Sequence, residues 1–177
     1  MERGDRSGQF YLIAGIVVAA ILIGIITVTN FSERGSDLNL LDVKEELEIE
    51  SRQVLDYASF NNQDEAQTEI TVNDFTTDYI SHRKSEHDIY FVYGDRQDLD
   101  VKGYQDSAKE VRIVSGTASS TVTSSSGDFS GGVNPGNANE AILYIDDNSY
   151  TFKLNEGENF YFVVSRGAGG GEFVVSG

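Results

Sequence analysis

The sequence predicts an α+β fold. An N-terminal transmembrane helix leads, one or two amphipathic helices follow, and an antiparallel β-sheet or sandwich of about seven strands closes the chain. Three observations predict it. Residues 10–28, FYLIAGIVVAAILIGIITV, carry no charged side chain. Apolar residues recur at three- and four-residue steps between about residues 38 and 83, and from residue 88 the period shortens to two. Helical side chains realign every 3.6 residues and strand side chains every two, so the change of period marks a change of backbone.

The apolar run comes first. Its 19 residues at about 1.5 Å each span about 28 Å, the hydrocarbon thickness of a bilayer. A helix over residues 10–29, from Phe10 past Val28, is therefore expected to span the membrane. Gly15 with Ala19, and Ala20 with Gly24, are small-xxx-small pairs of the kind that let two membrane helices approach closely. Residues 1–9 form a short tail with Arg3 and Arg6, against Arg34 and Lys44 on the far side. The positive-inside count tilts only slightly toward a cytoplasmic tail; the bulk of the chain argues the same way. The run is longer than a signal-peptide core and no A-x-A-like site follows it, so an uncleaved anchor is expected. The sequon Asn30-Phe31-Ser32 lies too close to the bilayer for a transferase to reach.

A linker over residues 30–37 leads to a domain over 38–177, expected outside the membrane. Leu40, Leu41, Leu47, Val54, Leu55 and Ala58 predict a helix over about 38–60, with Asp42 and Glu45 as a capping pair. Asn61, Asn62 and Gln63 break it. A second helix is expected over 65–83, burying Ile70, Phe75, Tyr79 and Ile80. Strands are expected at 89–93, 101–104, 111–114, 141–145, 150–154, 159–165 and 172–175. Gly94-Asp95 and Gly103 supply turn chemistry, and Asp147-Asn148 and Glu156-Gly157 read as hairpin turns. Residues 115–139 are rich in Ser, Thr and Gly and read first as a flexible surface loop, with the TVT at 121–123 as a short strand the alternative.

Composition excludes several functions. The chain holds 29 Asp and Glu against 13 Lys and Arg, a net charge of −16. Such a field repels nucleic acid, whose binding needs clustered cations. With no cysteine, disulfides, zinc–thiolate sites and thiol catalysis are absent.

Several residue constellations resemble chemistry without completing it. His82, then Asp95, Asp98 or Asp100, then Ser130 follow the chain order of a chymotrypsin-like triad, and GDFSGG resembles the sequence around that serine. Phe129 intrudes, however, and the chain is too short for two barrels. Ser81-His82-Arg83-Lys84 matches S-x-x-K, a pair that needs a buried, deprotonated lysine; here it lies in the charged stretch SHRKSEHD. His82 and His87, five apart, share neither a helix face nor a strand face. Asp95, Asp98 and Asp100 offer oxygens to a cation without the order of a known calcium loop. Arg166 to Glu172, RGAGGGE, lacks the lysine and following helix of a phosphate loop and reads as a hairpin loop. No catalytic residue, cofactor or metal is expected.

The opening RSGQFYLIAGIVVAAILIGIITVTNFS resembles the start of small single-pass membrane proteins of small-genome, symbiotic archaea, with GQFYLIA the most characteristic string. EELEIESRQVLDYASFNNQ is similar to the post-membrane helix of one such uncharacterised family, and IYFVYGDRQDLDVKGYQ to its first hairpin. The likeness covers about the first 105 residues and implies topology, with no activity to transfer. The opening also resembles an archaeal pilin or archaellin precursor, in which a short basic leader ends before an uncleaved apolar helix. That likeness implies processing between Gly8 and Gln9, with Arg3-Gly4 before Asp5 as a second option. Three features depart from it: no basic residue directly precedes Gly8, no glutamate stands near the fifth position of the mature helix, and the break from Asn30 to Ser36 interrupts what pilins keep as one long helix.

The expected function is a single-pass, membrane-anchored structural or binding module rather than an enzyme. Its expected partners are the bilayer, other envelope proteins or a second copy of itself. The alternative is a pilin- or archaellin-like filament subunit processed near Gly8.

Overall fold

A computed structural model describes residues 40–84, 87–165 and 172–176. The membrane segment with Phe10, Gly15, Ala19, Ala20, Gly24 and Val28, and the processing pair Gly8 and Gln9, lie outside the described residues. Among the described residues no helix is long and apolar enough to cross a membrane. The chain divides into two compact units, Met1–Asn39 and Leu40–Gly177, and the second holds all the described secondary structure.

Two helices open this unit. The first, α1, covers residues 40–60. Leu40, Val43, Leu47, Ser51 and Ala58 are its buried residues, and their three-, four- and seven-residue steps keep them on one stripe. Asp42 and Glu45 lie inside the described helix, where the sequence puts them. The second, α2, spans Glu65–Arg83, as the spacing predicts. The Asp64 carboxylate accepts the Gln67 backbone N–H at 2.9 Å, while the Gln67 side chain accepts the Asp64 N–H at 3.4 Å. This capping box matters because the interior, ITVNDFTTDYI, is poor in strong helix formers. Val72, Thr76, Tyr79 and Ile80 are its buried residues. Ile70, expected inside, is 61% exposed; it lies about 120° around the helix from Thr76.

Among the described residues nine strands follow: β1 (Asp88–Gly94), β2 (Leu99–Gln105), β3 (Val111–Ser115), β4 (Ala118–Thr123), β5 (Gly127–Val133), β6 (Glu140–Ile145), β7 (Asn148–Lys153), β8 (Asn159–Ser165) and β9 (Glu172–Ser176). They form two antiparallel sheets, one ordered β5-β2-β1-β8-β9 and the other β4-β3-β6-β7. One core lies between the sheets, with Tyr90 and Val92 of β1 and Tyr161 and Val163 of β8 meeting Ile113, Leu143 and Phe152. The other lies between the five-stranded sheet and the helices, where Phe91, Phe160 and Phe162 meet Leu47, Val72 and Tyr79. The architecture is thus three layers, helices on sheet on sheet. β1 and β8 belong to both cores, which is why they read as continuous apolar runs rather than alternating ones.

Four expectations change. Gly103 lies within β2, paired with Tyr90 and Phe129, rather than in a turn. Residues 115–139 are not a loop: they hold β4 and β5, raising the strand count from about seven to nine. Their strand pattern is hidden because few of their inward positions carry large side chains. Glu156-Gly157 is not a hairpin turn either, since it joins β7 of one sheet to β8 of the other. The tight turn between β6 and β7 is Asp146-Asp147, with Asp146 at a φ of 50°.

Candidate functional site

Six carboxylates gather where a turn, a helix start and a crossing connection meet. The β1–β2 turn contributes Asp95 and Asp98, with Asp100 just inside β2. The first turns of α2 contribute Glu65 and Glu69, and the β7–β8 crossing contributes Glu158; together with Tyr93 and Gly94 they line a cavity of about 40 Å³.

Local chemistry builds the β1–β2 turn. Gly94 has a φ of +119°, and a Cβ there would sit 2.3 Å from the Asp98 carbonyl oxygen, so only glycine fits. The Asp95 carboxylate accepts the backbone N–H groups of Gln97 and Asp98 at 2.5 and 2.7 Å. Asn159 ties this turn to the crossing. Its amide donates to the carbonyls of Gly94 at 3.1 Å and Gly157 at 2.9 Å, and its Oδ1 accepts the Asn155 N–H at 2.8 Å.

The carboxyl groups titrate against one another. Burial, then the negative charges of Asp95, Glu65 and Glu69, push Glu158 up to about 7, partly offset by the Gly94 N–H that its carboxylate accepts. Its Oε1 is buried without a hydrogen-bond partner. Burial and Asp98 raise Asp100. Glu65 is raised chiefly by the hydrogen bond it shares with Asp95. Burial pushes Asp95 upward, but the N–H groups of Asp98 and Gln97 and the bond with Glu65 outweigh it, and its pKa falls. Such a cluster can hold protons near neutral pH and draw cations toward it. Among the described residues no three acidic or histidine side chains are placed to hold one metal ion.

The sequence-derived constellations come apart. His82 is exposed at the C-terminal end of α2, with Nδ1 2.7 Å from the Asp78 carbonyl oxygen and 3.2 Å from the Ser81 hydroxyl. Asp95 bonds Glu65 at the other end of the same helix, about 25 Å away along the axis. Ser130 is exposed on β5, paired with Lys102 of β2, so the triad order has no spatial counterpart. Lys84 is an exposed cation 3.5 Å from Asp128 and 6.0 Å from the Tyr104 ring, not a buried amine beside Ser81. His87 is buried while His82 is not. The glycine run at 166–171 lies outside the described residues; Glu172 opens β9.

Sequence reasoning found Asp95, Asp98 and Asp100, which are local to one turn. It missed Glu65, Glu69 and Glu158, which reach the cavity from elements far apart in the chain. No family model, curated protein or solved structure matches this chain.

Proposed function

We propose that this protein is a single-pass, membrane-anchored module whose α+β domain acts outside the membrane in structural or binding roles. One observation carries this reading: a 19-residue uncharged run ends at Val28, and a unit with its own two cores begins at Leu40. A chain arranged in this way delivers a folded domain to a surface. The acidic cavity is a charged feature of that domain, suited to attracting cations or basic groups. The resemblance to single-pass proteins of small-genome archaea points in the same direction, with the bilayer, other envelope proteins or a second copy as partners and nucleic acid excluded by charge.

The second reading is a pilin- or archaellin-like filament subunit. The Gly8–Gln9 junction before the apolar run favours it, as does a helix laid against an antiparallel sheet.

The intact mass of the mature protein from its native membrane separates them. A first residue of Met1 or Glu2, with retention in the membrane at alkaline pH, supports the anchored module. A start at Gln9 or Asp5, with release by shear, supports the filament subunit. A start beyond residue 28 overturns both.

A further inference from the structure

We infer that the seam between α1 and α2 is a docking groove for a basic, amphipathic helix of a partner protein. The inference deepens the binding-module reading and rests on it.

The seam is open along most of its length. A cleft of about 510 Å³ between Glu46 of α1 and His82 of α2 shares Glu50 and Phe75 with a second of about 380 Å³. The second shares Gln53 and Tyr57 with a third of about 580 Å³, which leaves the seam, is lined by α1 alone and ends at Phe60. From residue 46 to residue 57 the seam runs about 16 Å, and the exposed face of α1 continues it to residue 60, room in all for about 14 residues of a third helix.

Its floor and far end are apolar. Phe75 and Tyr79 lie at its base, and Tyr57 and Phe60 stand 59% and 87% exposed at its end. Single exposed apolar residues need no explanation, but two aromatics three residues apart beside a cleft do.

Charge decides the occupant. Glu46, Glu50, Asp56 and Asp78 border the groove. Arg83 already gives its guanidinium to Glu46 at 2.5 and 2.8 Å. Burial and the nearby Glu46 raise Glu50 against the opposing pull of Arg83, so an added cation is welcome there. A second copy would bring the same acidic border and a net charge of −16, which opposes pairing through this face. A helix with leucine or phenylalanine anchors at i, i+4 and i+7 and lysines alongside matches both floor and border.

The test uses the full chain in a non-ionic detergent and a fluorescein-labelled helical peptide of about 14 residues, with a leucine–phenylalanine stripe flanked by lysines. Tyr57→Ser with Phe60→Ser is expected to weaken binding about 10-fold or more, as loss of two aromatic anchors does. Glu50→Gln with Asp78→Asn is expected to weaken it about 3-fold. Ser119→Ala with Thr121→Ala, on the far sheet, is expected to change nothing. Peptide partition into detergent is common to every variant and cancels. Equal affinity across all variants, or equal binding of a peptide with glutamate for each lysine, overturns the inference. So does a dimer in sedimentation that the Tyr57/Phe60 variant dissolves. Membrane retention at alkaline pH does not depend on the seam, so failure here leaves the anchored reading to stand or fall separately.

Discussion

β1 and β8 lie side by side in the middle of the five-stranded sheet, whereas β4 and β5 lie at the rims of the two sheets. In β8 every residue is buried, and in β1 every residue but Gly94. In β4 none is fully buried, and in β5 only Phe129 and Val133 are. Central strands here are held by their own side chains, packed on two faces. Rim strands are held by pairing and by smallness. A Cβ on Gly103 of β2 would meet the Ile89 carbonyl oxygen at 2.2 Å and the Phe129 ring at 2.6 Å, so the missing side chain in β2 leaves the space that the one aromatic of β5 fills.

The largest effect should come from the centre. Phe91 is fully buried between sheet and helices, with Phe160 at 5.6 Å and Tyr79 at 6.0 Å between ring centroids. Phe91→Ala is expected to cost about 3–5 kcal/mol, because rigid neighbours cannot close the cavity. Chemical denaturation at constant m-value reads it. Phe129→Ala, at 9% exposure on the rim, is expected to cost less, about 2–3 kcal/mol, since water and a thinner strand can refill the site. Equal costs would mean that rim and centre are packed alike.

The same contrast explains what the sequence could convey. Both helices and the seven apolar strands carry their signal in their own residues, as a period in the helices and as the continuous apolar runs IYFVY in β1 and FYFVV in β8. ASSTVT and GDFSGGV do not, because β4 and β5 borrow their place from β3 and β2. The three missed carboxylates of the acidic cavity fail for a related reason. Glu158 acquires its environment from Asp95, Glu65 and Glu69, and no local pattern records a meeting of the β7–β8 crossing with the start of α2. Ile70 shows the limit inside a helix: its type suited the core, but its angle did not.

Glu158 sits one residue before β8, where burial reaches the acidic turns. Its pKa in the folded state, raised to about 7, lies above that of the unfolded chain. The folded state therefore holds its proton to higher pH. The neutral carboxyl's stabilisation is fully present below the ordinary glutamate range and is lost as pH rises through about 7. The shift caps the effect at about 3 kcal/mol, and solvent screening of a partly exposed group reduces it to about 1–2 kcal/mol. Glu158→Gln is thus expected to be the more stable protein at pH 8 by about that amount, and to lose most of the decline between pH 5 and 8. Melting curves across that range check both. An unchanged slope would assign the decline to Asp100 and Glu65, which shift in the same direction.

The smallest effect should come from the outward positions of β4. Ser119 and Thr121 are exposed, opposite Val114 and Arg112 of β3, and they contribute backbone pairing that any residue other than proline can make. Ser119→Ala and Thr121→Ala are expected to shift stability by no more than about 0.5 kcal/mol each. Thr121→Pro is the sharper probe. It removes an N–H and fixes φ, so its cost depends on whether that N–H faces β3 or the open rim. A cost near that of Phe129→Ala would show that pairing, rather than side-chain burial, keeps this Ser/Thr-rich segment a strand. A cost near zero would mean that β4 is held only through Val122, which packs against the sandwich core and stands 3.1 Å from where a Cβ on Gly131 would be.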